Sequence, residues 1–338
     1  MTKINGNTRY CPNRQEQTCI STPHKSERQR QPTKPYLRDQ LEHGIAIHQF
    51  NKVLIVGLGQ LGLPVARYVK ERGFEVYGYD VNPKAMDVAE QTAAIKKATN
   101  FAEFDVYILC ASTHKPDDVF IPEIDGLFQI ANKIAKEAKS GALVSIESTI
   151  PKETSRKVFE IFEHRLHVVH APHRWYALEE KTHGVNQLRV IGGVCDCCLR
   201  IGMQFYSAPV VTQISSGKGL GIPMYPVSNI EIAETTKIAE NAHRYLQIAF
   251  AEELYLYCQA NNISFPELRD ALNTKWNVEI LEPREGIGGH CLPKDTKMFI
   301  ESSKGTKSKI LAAAMNVDED YRQYRVKREQ KLKSSSVV

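Results

Sequence analysis

The sequence predicts an α/β protein: a doubly wound parallel sheet followed by an α-helical domain built on one long spine helix. Short apolar runs alternate with amphipathic stretches of helical length from Lys52 to about Ile191, which is the signature of strands crossing over through helices. A glycine-rich turn joins the first apolar run to the first amphipathic stretch, and the segment from Val227 to Ala260 contains neither Gly nor Pro. In that segment Ile232, Ile238, Ala242, Tyr245, Ala249 and Leu256 recur at helical spacing, enough for a second domain's core and a dimer seam.

Taken in order, residues 1–48 are rich in Gln, Asn, Arg, Thr and Pro and lack apolar periodicity, so they are expected to form a disordered arm. Cys11 and Cys19 in it match no metal-finger spacing and read as free thiols. Lys52–Val56 is an apolar run of the kind buried on both faces of a parallel sheet. Val65–Arg72, closed by Gly73, reads as a helix, and Glu75–Tyr79 as a second strand ending at Asp80. Strands are expected at 106–111, 142–146, 167–170 and 188–191, with helices from Pro122 to about Lys139 and after Pro151. This sets a sheet domain at 49–213, a helical domain at 214–321, and a basic tail at 322–338.

Composition narrows the class further. The chain has 338 residues, 42% hydrophobic and 25% charged, which excludes collagenous, disulfide-miniature and wholly disordered proteins. No apolar run is long enough for a membrane span, and the start of the chain lacks the order of a secretory signal, so a reducing, cytoplasmic setting is expected. The net charge of +5 resides at the two ends, +4 in residues 1–50 and +5 in 322–338, leaving −4 for the body. A folded body of that sign argues against a nucleic-acid enzyme.

The first chemical motif is Gly57-Leu-Gly59-Gln60-Leu61-Gly62, placed between strand and helix, with Asp80 eighteen residues after the third glycine. That is the context of a Rossmann-type dinucleotide fingerprint. Gly57 would make the tight turn, Gly59 would admit the pyrophosphate to the backbone, and Gly62 would let helix pack on strand, with the phosphates at a helix N-terminus. Asp80 would accept hydrogen bonds from the adenosine ribose and repel a 2′-phosphate, which favours NAD over NADP. Lys237 and Asn241, four apart, share one helix face. The segment Gly286-Ile-Gly-Gly-His-Cys291-Leu-Pro-Lys-Asp295 presents a thiol on a glycine-rich turn with a carboxylate four residues on. Such a thiol is a nucleophile where a neighbouring cation such as Lys237 lowers its pKa.

Together GLGQLGLP with Asp80, Glu147-Ser148-Thr149-Ile-Pro151, Glu234-Thr-Thr-Lys237-Ile-Ala-Glu-Asn241 and GIGGHCLPKD resemble the UDP-glucose/GDP-mannose dehydrogenase family, from about residue 51 to 320. The resemblance implies two successive NAD-dependent oxidations of a nucleotide sugar's C6 alcohol to a carboxylate through a cysteine thioester, in a cytoplasmic homodimer serving polysaccharide biosynthesis. The GGHC sequence resembles the N-acetylhexosamine branch. By the same resemblance Cys291 is the nucleophile, Lys237 and Asn241 stabilise oxyanions, Asp295 positions water, and Ser112, Thr113, Ser148 and Thr149 lie by the cofactor.

Two departures stand out. His173 occupies the place after Pro172 where the family usually has a glutamate that does acid-base work, so thioester hydrolysis is expected to lag behind oxidation. Only 47 residues follow Cys291, too few for the family's third domain; the nucleotide grip is then lost, supplied by a separate chain, or unnecessary. A β-hydroxyacid dehydrogenase-like enzyme, which also carries a Lys-x-x-x-Asn helix, and a catalytically altered NAD-binding subunit acting as a regulator are the competing readings. No metal is expected. His164, His167, His170 and His173 recur every third residue, whereas a strand alternates faces every second. Cys195-Asp-Cys197-Cys198 has no partner pair near it in sequence and reads as buried thiols at a helix start. Trp175 and Tyr176 are equally suited to a sugar pocket or to packing.

Overall fold

In the computed structural model, which describes residues 48–115, 117–175, 183–208, 218–303 and 307–335, eight strands form one sheet. They are β1 Lys52–Val56, β2 Glu75–Tyr79, β3 Lys96–Lys97, β4 Val106–Leu109, β5 Leu143–Ile146, β6 His167–His170, β7 Arg189–Gly193 and β8 Met224–Val227, in the spatial order β3-β2-β1-β4-β5-β6-β7-β8. All neighbours pair in parallel except β6 and β7, which run antiparallel. The expected all-parallel sheet is therefore mixed at one junction. Parallel strands need a long crossover, usually helical, and the described residues between β6 and β7 contain no helix.

Five helices cover the sheet: α1 Gly62–Glu71, α2 Pro83–Ala93, α3 Asp125–Glu137, α4 Thr154–Phe162 and α5 Asp196–Tyr206. Strand alternation sorts the core into two layers. Val53 and Ile55 of β1 join Val65 and Val69 of α1, Met86 of α2 and Phe205 of α5 on one face. Leu54 and Val56 join Leu127 and Ile134 of α3 and Val158 and Phe162 of α4 on the other. Burial on both faces explains why β4 reads as an unbroken apolar run and β5 as one interrupted by Ser145 alone.

The spine helix α6 spans Ile230–Ala260, capped by the Asn229 side chain, which accepts from the Glu231 amide at 3.1 Å. It begins three residues later than its composition suggested, because β8 occupies 224–227. Of its expected apolar stripe, Ile238, Ala242, Tyr245 and Ala249 are buried, while Ile232 is exposed and Leu256 half-buried. The buried Glu234 fastens α6 to the start of α4, accepting from the amides of Glu153 and Ser155 at 2.7 Å each. Three further helices follow: α7 Phe265–Asn273, α8 Cys291–Ser302 and α9 Lys309–Ser335, of which α8 and α9 pack along α6.

Residues 322–335, expected as a basic tail, continue α9. The stretch has no Gly or Pro and is built largely of good helix formers, with an i,i+4 pair between Arg325 and Glu329. Its outer turns stay solvated. The arm to residue 47 with Cys11 and Cys19, together with Tyr176 and residues 209–217, lies outside the described residues. No helix among the described residues is long and apolar enough to cross a membrane.

Candidate active site

The glycine turn leads from β1 into α1 beside β4, where strand order reverses; such a crevice at the carboxyl ends of parallel strands is the ligand site of this architecture. Gly57 has φ +86°, and a Cβ there would lie 2.7 Å from the Cys110 carbonyl oxygen. A Cβ on Gly62 would fall 1.7 Å from the Gly57 carbonyl oxygen. At Gly59 a Cβ meets nothing within 4 Å, which leaves a bare backbone open to a ligand. Gln60 and Leu61 complete the turn. Asp80, at the end of β2, accepts from the Leu58 amide at 2.6 Å and the Asn82 amide at 2.8 Å, one to each carboxylate oxygen. Each carboxylate oxygen keeps acceptor capacity beyond these single bonds, and with the open backbone at Gly59 these residues fit a dinucleotide.

The loop after β4 holds Ser112, exposed, and Thr113, buried. Ser148 follows β5, and its hydroxyl donates to the Ala111 carbonyl at 2.7 Å, tying the two strand ends together; Thr149 beside it is half-buried. A chain of hydrogen bonds then crosses to the helices. Lys294 Nζ donates to Thr113 Oγ1 at 3.2 Å and to Asp295 Oδ1 at 2.7 Å, and Asn241 Nδ2 donates to Asp295 Oδ2 at 2.5 Å. Thr113, Asp295 and Asn241, far apart in sequence, thus form one constellation. Lys294 links them and was not among the expected residues; its only sequence signal is its place beside Asp295.

Cys291 opens α8 as an exposed residue, its sulfur 3.6 Å from His290 Nε2. The charges of Lys294 and Lys237 pull its thiol pKa down, as expected, but the surrounding protein and the Asp295 carboxylate outweigh them and hold it above the ordinary thiol value. The cation is in place, yet the net shift is opposite to the one its spacing suggested. The His290 ring meets His114 edge-on, with centroids 5.4 Å apart.

His173 is buried, and its Nε2 is hydrogen-bonded to Glu147 Oε2. Glu147 also accepts from the Tyr206 hydroxyl and pairs with Arg189 at 3.1 Å. Burial alone would raise the Glu147 carboxyl, but His173, Arg189 and Tyr206 hold it well below the usual carboxylate range. It is therefore an acceptor, so His173 carries its proton on Nε2. Burial and Arg189 press the His173 pKa down, leaving Nδ1 an unprotonated nitrogen that has no hydrogen-bond partner among the described residues. The Lys237 charge adds to the lowering of His170 and His173 and partly offsets the rise of Cys291.

Fold and constellation together define a Rossmann-type NAD-binding oxidoreductase. Residues 52–173 match the NAD-binding domain of 6-phosphogluconate dehydrogenase, and residues 231–320 match the central domain of the UDP-glucose/GDP-mannose dehydrogenase family. A UDP-N-acetyl-D-mannosamine dehydrogenase of Campylobacter jejuni is 29% identical over 308 residues, covering 81% of this chain and 73% of its own length. One from Escherichia coli strain K12 is 27% identical over 309 residues, covering 80% and 69%. The structure of the UDP-D-ManNAc dehydrogenase from Pyrococcus horikoshii superposes with a TM-score of 0.70 at 24% identity, over 85% of this chain and 72% of that one. Residues 231–320 are thus similar to that family's central domain, and the chain as a whole to UDP-N-acetyl-D-mannosamine dehydrogenases.

Proposed function

We propose that this protein oxidises the C6 alcohol of a UDP-hexose or UDP-N-acetylhexosamine to the uronic acid, using NAD and a thioester on Cys291. The observation that carries the reading is the hydrogen-bonded chain Thr113–Lys294–Asp295–Asn241 beside an exposed thiol. It links the cofactor crevice to a nucleophile, which a simple hydroxyacid dehydrogenase does not require. The N-acetylhexosamine preference is supported by the relatives, which are UDP-N-acetyl-D-mannosamine dehydrogenases.

NAD, when bound, supplies the hydride acceptor. Gly57, Gly59, Gln60, Leu61 and Gly62 hold its pyrophosphate, Asp80 its ribose, and Ser112, Thr113, Ser148 and Thr149 border its nicotinamide. Cys291 Sγ bonds to C6 at the aldehyde level and holds it first as a thiohemiacetal and then, after the second hydride has left, as a thioester. Lys237 and the second N–H of Asn241 stabilise the oxyanion at each stage. Asp295, fixed from both sides, orients the water whose attack breaks the C–S bond and returns the thiol. His173, anchored through Nε2, offers Nδ1 for that water's proton. Overall one alcohol and one water become one carboxylate, with two hydrides passed to two NAD and three protons released.

The test is a screen of UDP- and GDP-sugars for NADH formation with the acid product quantified. Two NADH per acid, a covalent sugar adduct visible by intact mass, and loss of adduct and second oxidation in Cys291→Ala are expected. Full turnover by Cys291→Ala would favour the hydroxyacid dehydrogenase instead. Tight NAD binding with no turnover would favour the regulatory subunit. The exposed Phe250 and Tyr257, one heptad apart on α6, support a homodimer seam along that helix. Light scattering of a monomer at micromolar concentration would refute it.

A further inference from the structure

At the opposite end of β6 from His170, five metal-ligating side chains meet. His164 and His167 lie in the turn before β6 and on its first residue, and Cys195, Cys197 and Cys198 lie at the N-terminus of α5. The donor atoms of His164, His167, Cys197 and Cys198 all fall within 4.8 Å of one another. His164 Nε2 is 3.3 Å from Cys197 Sγ, and His167 Nδ1 is 3.7 Å from Cys198 Sγ. A tetrahedral zinc with bonds of about 2.3 Å to sulfur and about 2.0–2.1 Å to nitrogen requires sulfur–nitrogen separations of about 3.5 Å. The sequence reading treated the histidines and the cysteines as separate, incomplete sets; it is the antiparallel β6–β7 pairing that joins them across some thirty positions.

We infer that these four side chains form a structural site for Zn²⁺, with thiolates from Cys197 and Cys198 and imidazole nitrogens from His164 and His167. Two thiolates with two imidazoles are a donor set suited to zinc. The surroundings suit bound thiolates: the Val168 amide donates to Cys198 Sγ at 3.4 Å, and the α5 N-terminus favours negative charge. The rings are held in place, His164 against Phe159 at 4.9 Å between centroids and His167 edge-on to His48 at 6.1 Å. Consecutive left-handed residues, Glu163 at φ +48° and His164 at φ +57°, make the turn that sets His164 beside Cys197; such strain persists only where its surroundings hold it. Cys195 Sγ, 2.8 Å from Cys197 Sγ and 3.7 Å from His164 Nε2, stands beside the set. His164 is exposed and Cys198 buried, so the ion enters from solvent and closes over the core. It would staple the start of β6 to α5, and β6 carries His170 towards the active site.

The test uses the full chain, purified under reducing conditions, stripped by chelator and titrated with Co²⁺ and then Zn²⁺. One equivalent of Co²⁺ should produce intense tetrahedral d–d absorption with sulfur-to-cobalt charge transfer, both bleached by one equivalent of Zn²⁺. His164→Ala and Cys197→Ser should each weaken binding by more than the roughly 10–100-fold typical of outer-shell changes. Cys291→Ser should leave the stoichiometry unchanged, which separates this site from binding to any thiol. Should either ligand variant fail to fold, the wild-type cobalt spectrum decides by itself. Absence of that spectrum, unchanged affinity in a folded His164→Ala, or a Cys195–Cys197 disulfide surviving reductant with no metal bound would overturn the inference.

Discussion

His170 and Glu252 are both fully buried, and they respond to pH in opposite directions. Burial lowers His170 from 6.5 to about 3, while burial and Asp318 raise Glu252 from 4.5 to about 8. At about pH 4.5 the unfolded histidine binds a proton that the folded one refuses, so stability supplied by a neutral His170 is present at pH 7.5 and lost on acidification, by about 3 kcal/mol between the two. Glu252 has the opposite sign: the folded state keeps its proton and the unfolded state releases it, so its contribution is present at low pH and lost as pH rises towards 8, again by about 3 kcal/mol. Urea melts of wild type, His170→Gln and Glu252→Gln at about pH 4.5 and 7.5 isolate each term, because a packing defect adds a constant whereas a titration adds a slope. Relative to wild type, His170→Gln should gain stability at the lower pH and Glu252→Gln should lose it. Parallel shifts in both variants at both pH values would refute the assignment of either group as a buried, neutral acid or base.

Gly62→Ala should unfold or severely destabilise the chain, since its Cβ would collide with the Gly57 carbonyl, whereas Gly59→Ala should fold normally and lose NAD affinity; thermal melts and cofactor titration separate the two. Asp80→Ala should erase a preference for NAD over NADP of about 1–3 kcal/mol, the worth of a hydrogen bond to a charged group, read by titrating both cofactors. His173→Glu, a gain in hydrolysis if only the family pattern is considered, would set a second carboxylate against Glu147. We expect it to cost about 1–3 kcal/mol at neutral pH, because the neutral imidazole that donates to Glu147 gives way to a second buried acid, measured by denaturant titration.

Much of the sheet was legible because burial on two faces writes itself as apolar runs: β6 begins and ends at His167 and His170 as expected, and β1 at Lys52 and Val56. Of α5 the start at Cys195–Cys198 was legible but not the length, because Leu199, Ile201, Met203, Phe205 and Tyr206 are all buried and leave little polar face to mark a period. β8 escaped notice because it is a four-residue strand containing Pro226. In the site, the glycines, Asp80, Cys291 and Asp295 were readable from spacing, whereas Lys294 between Thr113 and Asp295, and the Glu147 partner of His173, depend on folding distant segments together. Arg189 carried a signal that went unused: a lone guanidinium within Leu188–Ile191, an otherwise apolar strand, calls for a buried anion.

The ammonium of Lys294 touches a hydroxyl carried by the sheet and a carboxylate carried by α8. Lys294 and Asp295 are neighbours on α8, so the ammonium reaches the β4 loop with its countercharge already beside it. Substituting Lys294 by methionine would remove the bond to Thr113 and leave the buried Asp295 carboxylate without that cation, so the cost would fall on the carboxylate next to the thiol as well as on the seam between sheet and helix.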